Sequence, residues 1–119
     1  MEVVFSYSRA QAIEDGVLID AGVLAYEAGF RYSVALTAAA WNLCVAVPES
    51  CPWQDEQGRL WDVLNVLRVS ARRRSSSAVA FSVLVQNDPS GPQLITLQAV
   101  CSPGDDLEPV ITVMLPGED

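Results

Sequence analysis

The sequence contains no histidine, and its seven positive charges are all arginine, so lysine is missing as well. These two absences remove whole classes of chemistry. Without imidazole there is no Ser-His or Cys-His nucleophile pair, no histidine general base and no histidine metal ligand. Without lysine there is no Schiff base and no phosphate-binding lysine loop. An enzyme built on this chain would rely on carboxylates, Tyr, Cys, Ser or Arg alone, so a non-catalytic protein without a cofactor is expected. Cysteine is sparse and odd in number: Cys44, Cys51 and Cys101. The start, Met1-Glu2-Val3, has neither the basic region nor the apolar stretch of a signal peptide, so a cytoplasmic protein with free thiols is expected. Long apolar runs are missing too. The longest, Val34 to Val47, is broken by Thr37 and Asn42 and is too short to span a bilayer, which predicts no membrane association.

What is present is an ordinary globular composition, 50% hydrophobic and 18% charged over 119 residues, which predicts one domain over residues 1–119. The formal net charge is −8. Such a field repels nucleic acid and anionic membrane and favours basic partners, so direct nucleic-acid binding is not expected.

Periodicity predicts two kinds of segment. Ser8 and Gln11 have the spacing of a capping box, which starts a helix over about Arg9 to Asp15, with Gly16 as its stop and Val17-Leu18-Ile19 as a buried connector. Asp20 opens a second helix that stops at Gly29. Ser33 caps a third, Val34 to about Ala46, apolar all round and therefore central. Asp55 caps a fourth that runs to about Arg73, with Leu60, Val63, Leu64, Leu67 and Ala71 in one stripe and Trp61 and Val66 flanking it.

After the Arg72-Arg73-Arg74-Ser75-Ser76-Ser77 junction the period changes to two, and Val79, Phe81, Val83 and Val85 mark a strand. Turn residues at 87–92 lead to a second strand, Leu94 to Cys101. Those at 102–106 lead to a third, Val110 to Leu115. The predicted fold class is α+β. About four helices in the N-terminal two thirds (residues 1–74, mainly helical) pack on a C-terminal three-stranded antiparallel β-meander (residues 78–116).

Four segments, Tyr7 to Asp20 (YSRAQAIEDGVLID), Ala28 to Trp41 (AGFRYSVALTAAAW), Gly58 to Leu64 (GRLWDVL) and Ala99 to Asp119 (AVCSPGDDLEPVITVMLPGED), carry a resemblance. The chain resembles a family of small uncharacterised bacterial proteins, a domain of unknown function, encoded on plasmids, integrative elements and phages. The resemblance implies no catalytic residue or cofactor. It implies the setting of mobile-element accessory proteins, which block host nucleases, interference complexes or restriction enzymes, or adjust element transfer and copy control.

The candidate partner-binding residues follow from charge and exposure. Asp105, Asp106, Glu108, Glu118 and Asp119 give the last eighteen residues five acidic side chains and no basic one. Such a patch suits a partner with a basic nucleic-acid-binding surface by imitating a phosphate backbone, or serves only as a solubilising tail. The first three also have the composition of a Mg²⁺ or Ca²⁺ loop, but turn chemistry explains them better and no further acidic loop accompanies them. Cys44 and Cys51 lie too far apart for a zinc motif, so no metal site is expected. Arg72, Arg73 and Arg74 either cap a helix C-terminus or contact an anion, RNA, an acidic partner or the acidic tail of a second copy. Trp53, in a Pro-flanked loop, is the aromatic expected at a contact. Cys44 and Cys101 are expected in the core and Cys51 at the surface. The expected function is thus a non-catalytic interaction protein, an inhibitor of a host nucleic-acid-binding defence complex. The alternatives are an accessory factor that binds an element-encoded partner or itself, and a carboxylate-based enzyme or metal protein.

Overall fold

A computed structural model describes residues 7–72 and 77–118. Ser8 and Gln11 form the predicted capping box at the start of α1 (Arg9–Glu14). The chain then enters a short strand, β1 (Leu18–Asp20), where a connector was expected. Asp20 ends this strand rather than starting a helix. Its carboxylate accepts from the Gly22 amide at 2.8 Å and turns the chain into α2 (Val23–Glu27). α2 buries Ala25 and Ala28 and leaves Val23 and Tyr26 exposed, because small side chains let this short helix lie close to the sheet.

The predicted third helix is divided. Its first half is a strand, β2 (Ser33–Thr37), and its second half is α3 (Ala38–Cys44). Val34, Ala35 and Leu36 are fully buried, as in a strand covered on both faces. An apolar run of that length has no period to separate strand from helix. The change falls at Thr37, whose hydroxyl accepts from the Ala40 amide at 3.2 Å and caps α3. Ser33 is therefore the first residue of a strand and not a cap.

α4 (Glu56–Ala71) follows Asp55 as expected, with Leu60, Val63, Leu64 and Leu67 buried along one stripe. Trp61 stays at the surface and Val66 packs against the core edge. The last segments are β3 (Ala78–Val85), β4 (Gln93–Pro103) and β5 (Pro109–Met114). Ser102 and Pro103, expected in a turn, continue β4.

The fold class is α+β, but the three-stranded antiparallel meander is overturned. Among the described residues the sheet has five strands in the order β1-β2-β5-β4-β3. β2 lies parallel to β5, with Ser33 opposite Val110 and Leu36 opposite Val113. The N-terminal half thus supplies two strands of the sheet. One face, with Leu36, Val113, Leu97 and Phe81, packs on α2, α3 and α4 in a single core. α1 reaches the other face, where Arg9 donates to Thr112 Oγ1 at 2.7 Å. The β3–β4 part of that face is open: the cross-strand partners Leu84 and Leu94 are exposed there.

Among the described residues Arg59 is the one charged side chain in the core, 6% exposed. Its Nε donates to Val45 O at 3.1 Å, Nη1 to Gln54 Oε1 and Gln86 O at 3.1 and 2.7 Å, and Nη2 to Asn87 Oδ1 and Leu43 O at 2.7 and 3.4 Å. Two of these acceptors are carbonyls at the end of α3, which has no further helical turn to satisfy them. One guanidinium therefore joins α3, the loop before α4, α4 itself and the end of β3.

The cysteines depart from expectation in one respect each way. Cys44 is buried as predicted, but Cys51 is fully buried and Cys101 is exposed. The Cys51 amide donates to Pro48 O and its carbonyl accepts from Gln54 N, so two successive turns roll the side chain inward. Cys101 lies on the core-facing side of β4 beyond the cover of α4. Burial pushes the Cys44 thiol up to about 11, against the pull of Arg59.

Two outcomes follow. Arg59→Ala strands several buried carbonyls and should lower stability by about 2–4 kcal/mol, read as a fall in the urea midpoint at unchanged slope. Native protein should present a single fast-reacting thiol, Cys101, to an aromatic disulfide reagent, and all three cysteines after denaturation.

Candidate functional site

A groove of about 360 Å³ opens between the α2–β2 loop and the last turn of α4. Gly29 makes the loop possible. It sits at φ +102°, a conformation that side chains disfavour, and a Cβ there would lie 2.9 Å from Arg68 Nε. The guanidinium of Arg68 thus lies directly over a residue that must be glycine-like. Phe30 packs into the core edge, while Arg31 and Tyr32 stay at the surface. From α4 come Arg68 and, one turn on, Arg72. Ala71, Phe30 and Ile111 supply an apolar floor. The guanidinium groups of Arg31, Arg68 and Arg72 make no hydrogen bond or ion pair with any described residue. Three free planar donors beside two aromatic rings form a site for a carboxylate-bearing or other anionic group.

The opposite face gathers negative charge around α1. Asp105 accepts from the Arg9 and Ala10 amides at 2.8 and 3.0 Å, and these bonds, the Arg9 amide first, hold its carboxyl below the usual range. Arg9 itself reaches across the sheet face to the central strand β5, donating to Ile111 O at 2.8 Å. Burial lowers its pKa while Asp20, Asp105 and Glu108 pull it back up. Asp20 therefore joins the C-terminal turn in space. Asp15 accepts from Tyr7 Oη at 2.6 Å and raises the tyrosine's pKa. A cavity of about 690 Å³ lies between Tyr7, Arg9, Ala12 and the Ser102–Asp105 segment.

The predicted site residues are thus scattered. Asp105, Asp106 and Glu108 share one turn, in which Glu108 accepts from the Asp106 amide at 3.0 Å. Glu118 lies at the far end of β5, accepting from Thr37 Oγ1 at 2.7 Å and from the Leu115 amide at 2.6 Å. It does not belong to the same patch. Trp53 is exposed on the loop before α4, and Arg72 borders the groove. Arg73, Arg74 and Asp119 lie outside the described residues. Among the described residues no three His, Cys, Asp or Glu side chains are placed to share a metal ion, and no helix is long and apolar enough to cross a membrane.

Residues 1–119 match one protein family throughout. The chain belongs to the family of unknown function DUF6573. The expected resemblance to an uncharacterised family thus holds at that level. No curated protein and no solved structure matches the chain.

Sequence reasoning missed Arg31, Arg68, Phe30 and Tyr32 in this DUF6573 member. The available signals were the Gly29-Phe30-Arg31-Tyr32 run and the helical spacing of Arg68 and Arg72. Nothing local says that the two segments meet.

Asp105 has a pH signature. Its folded pKa lies below the ordinary value of 3.8, so the stability it contributes is complete above that value and is lost as pH falls through the lowered one. Asp105→Asn should flatten the acid limb of the stability–pH curve below about pH 4, measured by urea unfolding at successive pH values.

Proposed function

We propose that this protein is a non-catalytic interaction protein that binds an acidic segment of a protein partner in the Arg31–Arg68–Arg72 groove. The observation that carries this reading is the convergence of three guanidinium groups without a partner among the described residues, in a chain whose net charge is −8. Arg68 and Arg72 also suit the C-terminal end of α4, but Arg31 comes from the facing loop, and solubility, which acidic residues already supply, explains none of the three. A short acidic peptide suits the groove better than a nucleic-acid strand. A strand carries charge at every nucleotide and would run out of the groove onto acidic surface.

A second reading rests on the gathering of Asp20, Asp105 and Glu108 around Arg9. In it, an accessory protein of a bacterial mobile element, acting in the cytoplasm, uses this acidic side to occupy the basic groove of a host defence complex. Loss of DNA binding by such a complex on adding the protein, and its return with Asp106→Ala and Glu108→Ala, would support that role.

The first reading is tested with a labelled Asp/Glu-rich peptide by fluorescence anisotropy at low salt. Arg31→Ala, Arg68→Ala and Arg72→Ala should each weaken binding about tenfold, the worth of one charge-assisted hydrogen bond. Unfolding midpoints should stay nearly unchanged. Equal binding by the triple variant, or none by the native chain, removes the reading.

A further inference from the structure

We infer that the acidic segment taken by the groove is the β4–β5 turn of a second copy of this chain, in a two-fold symmetric dimer. The inference rests on the groove binding acidic segments and names its occupant.

The turn has an unusual tip. Leu107 is 82% exposed and stands at φ +67°, the one non-glycine residue among those described with a positive φ. A leucine gains nothing locally from that conformation or that exposure, and Gly, Asn or Asp would hold the turn with less strain. The turn keeps its form through Gly104, whose amide donates to Glu108 O at 2.6 Å and whose carbonyl accepts from Leu107 N at 3.0 Å. Asp106 and Glu108 flank the leucine. The Asp106 carboxylate makes no hydrogen bond or ion pair with any described residue. The tip thus presents an apolar side chain beside the Asp106 carboxylate, while the Glu108 carboxylate folds back to the Asp106 amide. The groove presents an apolar floor of Phe30, Ala71 and Ile111 between guanidinium groups.

The chain cannot fill its own groove. Asp105 ties the turn to the Arg9 and Ala10 amides on the α1 side, whereas the groove opens on the α4 side of the sheet. Both features nevertheless lie at one end of the sheet. Tyr32 leads into Ser33, which pairs with Val110, and the turn leads into Pro109, next to Val110. A two-fold axis at that end lets each turn enter the other copy's groove, so the contact closes at two chains instead of growing into a filament.

Two chains of net charge −8 repel at long range, but that repulsion is screened beyond about 8 Å at physiological ionic strength, while pairs in contact are screened much less. Association should therefore strengthen from about 10 mM to about 150 mM salt and weaken again near about 1 M.

Sedimentation velocity of the full chain over micromolar to millimolar concentration is the test, with a concentration-dependent dimer as the expected result. Leu107→Gly suits the backbone conformation better than the native residue, so it keeps the turn while deleting its tip. It should raise the dimer dissociation constant at least about tenfold. Arg68→Glu and Asp106→Arg should each be monomeric alone and should form a heterodimer when mixed, because the exchanged charges face one another. A chain monomeric at every concentration, or a dimer indifferent to Leu107→Gly and to the charge exchange, overturns the inference. A labelled peptide of residues 102–110 separates the two levels. If it binds the groove of a chain that stays monomeric, this inference fails and the proposed function stands; if neither it nor any other acidic peptide binds, both fail.

Discussion

A guanidinium with no carboxylate partner is an unlikely centre for a core, yet the placement of every helix after β2 depends on Arg59. Removing a permanent charge from water is costly unless all of its donors are satisfied. Arg59 meets that demand with carbonyl and amide oxygens drawn from α3, the following loop and the end of β3. Asn87 completes the arrangement by donating to Leu43 O at 2.8 Å, so the same α3 carbonyl serves both side chains. An arginine suits the position because its planar fork is weakly hydrated and cannot lose its proton; a lysine could do neither. The arrangement fixes α4 in register on β3. Arg68 and Arg72, two to four turns further along that helix, inherit their position from it.

β2 is the second constraint. It is short and fully buried through its middle, and it joins the helical half to the C-terminal strands by its parallel pairing with β5. Its two ends also organise surface chemistry. Before it, Gly29 to Tyr32 form one wall of the basic groove. After it, Thr37 caps α3 and donates to Glu118, which ties down the chain beyond β5. A parallel pair in an otherwise antiparallel sheet thus places the arginine groove and the acidic β4–β5 turn at the same end of the molecule, on opposite faces.

The charge distribution has a physical logic that net charge conceals. Carboxylates from β1 and the β4–β5 turn act on Arg9, where hydrogen bonds to amides and one half-buried guanidinium offset their repulsion. On the other side of the sheet Arg31, Arg68 and Arg72 converge at the groove, and none of them hydrogen-bonds or ion-pairs with a described residue. A protein of strongly one-signed charge can therefore carry a complementary site for its own kind of surface, provided the two are held apart by the sheet.

Much was legible from residues alone, wherever the signal was local. The Ser8–Gln11 box, the Asp55 cap, the Leu60–Ala71 stripe and the alternation through Phe81 and Val83 each depend on neighbours within about two turns or one strand. The missing histidine and lysine likewise narrowed the chemistry without reference to shape. What local sequence could not determine was anything that required a distant partner. Val34-Ala35-Leu36 has no intrinsic period, and pairing with β1 on one side and with β5, more than seventy residues away, on the other makes it a strand. Cys51 is buried by two turns that its prolines did not announce, and Cys101 is exposed because β4 outruns the helices. The groove arises because Gly29, which lacks a side chain, lets Arg68 approach from the far end of the chain's longest helix. Local preference sets the elements; their edges, their neighbours and the convergence of charge belong to the tertiary structure, because packing and electrostatics act through space and not along the chain.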